Sequence, residues 1–189
     1  MKTRTKVMVL GLVMAMVFCY AGIVGAGSSS DTGAGASAAV NLDFQIVIPS
    51  FIYLRVGDAV GVDMIVFSPS VDEVATAAQD IAGTGGNLTG GAVTVILISN
   101  GGAVTLEANG NGGLSNGSDT IDFSTIETLT SNPSFQPPIL ANGTSSTTPP
   151  LSGNITNLSS QWTYDFDIPS PNLEGGTYSG QVTYTASIP

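Results

Sequence analysis

Residues 161–168 read Gln161-Trp162-Thr163-Tyr164-Asp165-Phe166-Asp167-Ile168. Trp162, Tyr164, Phe166 and Ile168 alternate with polar side chains, and successive side chains of a strand point to opposite faces. A period of two therefore predicts a strand with one buried and one solvated face. The pattern returns at Gly180 to Ile188, with Val182, Tyr184, Ala186 and Ile188 inward and Gln181, Thr183, Thr185 and Ser187 outward. Leu173 to Gly176 reads as the connection between them, Gly175-Gly176 giving it turn flexibility.

Working outward from this stretch, further strands are expected. Val40 to Ile48 sets Leu42, Phe44, Ile46 and Ile48 against Asp43 and Gln45, before Pro49-Ser50 interrupts. Phe51 to Val56 and Val60 to Phe67 are rich in β-branched and aromatic residues. Ala92 to Ser99 and Ala103 to Ala108 read as a hairpin around Asn100-Gly101-Gly102, which accept the positive φ of a tight turn. Ile121 to Leu129 reads as a strand whose apolar parity slips near Ser124, implying a bulge or a strand end. Ser70 to Ala82 is the one helix candidate, with capping-box spacing between Ser70 and Glu73 and Gly83 as a stop; a surface excursion is the alternative. Gly83 to Gly91 and Asn109 to Asp119 are loops, and Ser131 to Pro150 is a long irregular crossing with a short edge strand near Ile139. About eight turn-punctuated strands without βαβ alternation predict an all-β fold, a single antiparallel β-sandwich with long Gly/Asn/Pro-rich loops.

The composition removes much chemistry. The 189 residues include no histidine, one cysteine, and 4 Lys+Arg against 14 Asp+Glu. Only 10% are charged, where about 25% is ordinary. Without histidine there is no Ser-His-Asp hydrolysis, His-ligated zinc or HExxH protease, and the acidic balance excludes a nucleic-acid footprint. The chain is read as a non-enzyme without cofactor or metal. Lys2, Arg4 and Lys6 precede an apolar run from Val7 to Gly25, and Val24-Gly25-Ala26 fits signal peptidase. Residues 1–26 thus read as a signal peptide, with an uncleaved anchor as the alternative. Phe18 before Cys19 does not suit lipid attachment. Export would remove the cysteine and leave Arg55 as the sole basic residue, without a membrane span. Residues 27–39 read as a flexible Gly/Ser/Ala leader, and residues 40–189 as the folded domain.

Gly176-Thr177-Tyr178-Ser179-Gly180-Gln181-Val182-Thr183-Tyr184-Thr185 resembles the terminal strand of secreted bacterial subunits of the spore coat protein U and fimbrial type, with their G-x-Y-x-x-x-V-x-x-T pattern. The signal peptide followed by an early alternating strand is similar too. The resemblance implies an immunoglobulin-like sandwich, a periplasmic chaperone and an usher as assembly factors, and completion of each subunit by a strand from its neighbour. The cysteine pair that many members carry is missing here. The resulting expectation is a secreted cell-surface or fimbria-like structural subunit, located in the periplasm, on the cell surface or outside the cell. It would self-associate or exchange strands with like subunits, residues 27–48 being the natural donor. The alternative is a secreted monomeric binding module for a glycan or an envelope protein.

Several residues are candidates for sites, and none carries one. Asp165 and Asp167 share a strand face and could form a calcium site or an acid pair, but no further acids or substrate-binding groups converge on them, so they read as solubilising. Asp119 and Asp122 do not match calcium-loop spacing. Trp162, Tyr164 and Tyr184 could stack on a sugar, yet their alternation places them in the core. Arg55 either pairs with a carboxylate or meets an anionic ligand. Asn87, Asn116, Asn142, Asn154 and Asn157 fit the glycosylation pattern and read as markers of exposed loops.

Overall fold

The structure is a computed structural model that describes residues 28–189. The signal peptide read over 1–26 lies outside the described residues. The chain divides into two units, Met1–Val47 and Ile48–Pro189, described separately below.

In the first unit, residues 28–47 are exposed and carry no helix or strand. Asp31 accepts from Thr32 N at 2.8 Å and Ser37 N at 3.1 Å around a turn at Gly33. The strand expected over Val40 to Ile48 is not formed. A strand needs a neighbour for its backbone groups, and this segment pairs with no described strand. Its apolar side chains stay in water, with Phe44 and Ile46 both 85% exposed.

The second unit is built around one long strand. In chain order its elements are β1 (Ile52–Val56), β2 (Ile65–Val66), α1 (Val71–Thr76), β3 (Ile81–Ala82), β4 (Thr84–Gly85), β5 (Ala92–Ser99), β6 (Thr105–Asn109), β7 (Leu114–Ser115), β8 (Thr120–Ile121), β9 (Ile126–Thr130), β10 (Thr144–Thr147), β11 (Thr156–Phe166) and β12 (Thr183–Ser187). β11 pairs antiparallel with β5 over Thr156–Thr163, with β9 over Trp162–Phe166 and with β3 at Asp165 and Phe166. With β1 on the far side of β5, these make a five-stranded sheet. A second, three-stranded sheet runs β10-β6-β12, and β2-β4 and β7-β8 form two-stranded ribbons. Among the described residues the all-β expectation holds at this level: antiparallel sheets and one short α-helix.

Two connections differ from expectation. β5 and β6 do not form a hairpin, because they lie in different sheets. Asn100 supports the crossing instead, its Oδ1 accepting from Phe51 N at 2.7 Å and its Nδ2 donating to Pro49 O at 2.9 Å. Gly102, at φ +94°, completes the change of direction. β11 and β12 likewise belong to separate sheets.

Other boundaries shift for local reasons. The capping box forms, Ser70 N donating to Glu73 Oε2 at 2.6 Å, but the helix stops at Ala77 rather than Gly83. Ala77 takes φ +48°, and the Ala78 N–H closes back on the Glu73 carbonyl at 2.9 Å, a Schellman-type end. The parity slip near Ser124 is a 3-10 turn at Phe123–Thr125 between β8 and β9. In the proline-rich crossing the strand is β10 rather than a segment at Ile139, which is exposed. Val60 to Phe67 yields only β2, and Val60, Val62 and Met64 are exposed.

Both larger sheets feed one core. Val93, Val95 and Leu97 of β5 and Trp162, Tyr164 and Phe166 of β11 are buried in one cluster with Leu106 and Ala108 of β6. Trp162 is fully buried, its ring 5.6 Å from Phe135 and 5.6 Å from Tyr184 of β12. The Tyr164 and Tyr184 hydroxyls lie 3.2 Å apart and link the two sheets. Among the described residues no helix is long and apolar enough to cross a membrane.

Two stability predictions follow from this packing. Trp162→Ala should cost about 3–5 kcal/mol, because it empties the junction of the two sheets; a urea midpoint within error of the parent would contradict that role. Burial first, then the neighbouring phenol, holds the Tyr164 hydroxyl well above the ordinary tyrosine value, and burial raises Tyr184 as well. The unfolded chain therefore releases these protons first, so stability is fully present below about pH 10 and falls as pH rises beyond it. Urea titrations at about pH 9 and about pH 11 should show that fall, and Tyr184→Phe should reduce it.

Candidate functional site

An apolar concavity opens between edge strands of the two sheets. β1 pairs with β5 on one side, and β12 pairs with β6. Neither pairs with a described strand on its other side, so each presents backbone N–H and C=O groups as a template for another strand. Between them lies a groove of about 660 Å³. Leu54 and Val56 form one wall, Val182 and Tyr184 the other, and Val93, Ile126 and Tyr164 lie beneath. Leu54, Val56, Val182 and Tyr184 are only half-buried although they face the core. Ile52 of β1 and Ile188, just after β12, pack on the core without lining the groove.

The turn after β1 borders the groove. Gly57 takes φ +81°, and a side chain there would strike the Asp63 carboxylate. That carboxylate accepts from Asp58 N at 2.6 Å and folds the loop back, carrying Val62 and Met64 along the groove. The lining is mainly aliphatic and aromatic, and the Asp63 carboxylate is engaged by the loop backbone.

The candidate residues named from the sequence are dispersed. Asp167 Oδ1 accepts from Asp80 N at 2.9 Å, which ties the loop before β3 to the end of β11. Asp165 lies opposite Glu127 in the β9–β11 ladder. Asp119 Oδ1 accepts from Thr120 N at 2.8 Å and its Oδ2 accepts from the Tyr178 hydroxyl at 3.3 Å. Desolvation and then the Asp119 charge raise the Tyr178 hydroxyl above its ordinary value. Asp122 is bonded by the Asn142 amide. Trp162 and Tyr164 are buried and Tyr184 is half-buried, all on the core side. Arg55 is half-buried on β1, and its Nε has no hydrogen-bond partner among the described residues.

The asparagines differ in part from the expectation of exposed loops: Asn87, Asn116 and Asn142 are half-buried, and Asn157 lies in β11. Asn87 is half-buried and bonds Thr94 through both ends of its amide, at 2.8 and 3.0 Å. Asn116 Oδ1 accepts from Ser118 N and Asp119 N, and Asn142 Oδ1 accepts from Phe123 N at 2.8 Å. In a chain short of charged side chains, these amides satisfy loop backbone. Asn154 and Asn157 are exposed.

The groove was missed in the sequence because its walls read as ordinary core positions. Alternation tells which face of a strand points inward, but not whether a neighbour covers that face. In comparison with known proteins, no family model, curated protein or solved structure matches this chain.

Proposed function

We propose that this chain is a secreted, non-enzymatic cell-surface or fimbria-like structural subunit with an immunoglobulin-like sandwich fold, joined to like subunits by strand exchange. One observation carries the reading: the chain has both an unpaired alternating apolar segment, Val40 to Ile48, and an apolar groove between two unpaired strand edges. The two are chemically complementary. Residues 27–48 of one copy supply Leu42, Phe44, Ile46 and Ile48 to the groove of the next, while their backbone extends the β1 or β12 ladder.

The energetics favour association. Each such side chain gains about 1.5–3 kcal/mol on leaving water, and every added ladder bond satisfies groups that the edge strands expose. The Gly/Ser/Ala leader ahead of the segment gives the slack that threading requires. A periplasmic chaperone, implied by the resemblance, would cover the same groove before a donor arrives. The missing histidine and the dispersed carboxylates fit a role without chemistry.

The purified chain should form concentration-dependent oligomers visible by size-exclusion chromatography and electron microscopy. Phe44→Asp places a charge on the donor face without touching the folded unit. It should abolish the oligomers while leaving the unfolding midpoint of the domain unchanged. Oligomers that persist undiminished in this variant would overturn strand exchange as the mechanism.

A further inference from the structure

The outer face of the three-stranded sheet holds a second concavity of different chemistry, about 510 Å³ in volume. We infer that it is a binding cleft for a neutral saccharide, a function beyond subunit assembly. The ladder register sets its floor. Thr144, Asn109 and Thr183 stand abreast on β10, β6 and β12, and Glu107 lies beside Thr185 in the next outward row. Leu106 and Ala108, which alternate with them, are buried, so the floor is fixed to the core. Neighbouring strands set the residues within a row about 4.8 Å apart, a spacing that a single sugar ring bridges.

The rim keeps the cleft open. A side chain at Gly110 would strike the Ala141 carbonyl and the Phe123 ring, and one at Gly180 would come within 2.8 Å of the Gly113 carbonyl. Backbone therefore approaches backbone at this end. Gln181 adds an amide at the edge.

The lining selects the class of ligand. Among the described residues it contains one carboxylate, Glu107, together with amides and hydroxyls, and no cation or aromatic ring. Phosphate or carboxylate ligands meet a negative charge without a counter-charge, and an apolar ligand finds no apolar floor. One carboxylate is too few to hold a calcium ion. A polyol matches: its hydroxyls donate to Glu107 and accept from the Asn109 and Gln181 amides, while the threonines do either. The hydroxyls of Thr144, Thr183 and Thr185 and the Glu107 carboxylate have no hydrogen bond to another described residue, unlike the asparagines that build the loops. Asn109 Oδ1 accepts from Asn111 N at 2.9 Å, which leaves its amide N–H groups for a ligand.

The test is NMR titration of the purified full chain carrying Phe44→Asp, kept monomeric, with neutral oligosaccharides and their sialylated counterparts. Saturable shifts confined to the amides around Glu107, Asn109, Thr183 and Thr185 are expected with a neutral sugar. The sialylated form should bind at least about tenfold more weakly. Thr185→Val keeps the β-branched shape and the fold while removing one hydroxyl, and should weaken binding about tenfold at an unchanged thermal midpoint. No shift with any neutral sugar, equal binding of the sialylated form, or unchanged affinity in Thr185→Val would overturn the proposal. Oligomer formation by the parent chain is a separate readout, so failure of the cleft and failure of strand exchange are distinguishable.

Discussion

The fold depends on β11 being paired along both edges. Its backbone bonds β5 on one side and β9 on the other, and the two ladders overlap at Trp162 and Thr163. The side chain at that overlap is the largest in the core, and its ring meets Phe135 from the crossing loop and Tyr184 from the opposite sheet. One residue thus joins three parts of the chain that are distant in sequence. This concentration matters in a molecule with so few charged residues, where backbone hydrogen bonds and apolar burial must supply the cohesion.

The same scarcity shapes the loops. Where a more charged protein would fix its turns with ion pairs, this chain uses Asn, Asp and Ser side chains to satisfy nearby backbone groups. Asn100 holds the sheet-to-sheet crossing, Asn142 holds the 3-10 turn, and Asp63 folds the loop after β1. These contacts are polar bonds from side chain to backbone, and they leave the outer sheet faces for other work. The polar cleft and the apolar groove adjoin at Gly180 and Gln181, which border both.

Much of the strand content was legible because burial imposes a period of two. Trp162, Tyr164, Phe166 and Ile168 are buried as their alternation requires, and the Ser70 capping box forms. Val40 to Ile48 shows where that logic stops. Its alternation is as regular as that of β11, yet its side chains are exposed, because a pattern states which face could be buried and not whether a partner is present. The proposed function turns on that difference. The hairpin expected at Asn100-Gly101-Gly102 failed for a related reason: a flexible turn permits a tight reversal, but the sheet that each flanking strand joins is fixed by distant pairing partners.

The sequence by itself determined the all-β class, the inward faces of the strands, the helix cap and the exclusion of histidine chemistry, since each follows from residue type and local spacing. Tertiary structure alone decided which strands are neighbours, where the apolar groove opens between β1 and β12, and how Glu107, Asn109, Thr144, Thr183 and Thr185 meet in one cleft. These residues come from three strands, β6, β10 and β12, with β7 to β9 and then β11 between them in the chain. Their meeting depends on ladder register, a property of paired strands that no single segment carries.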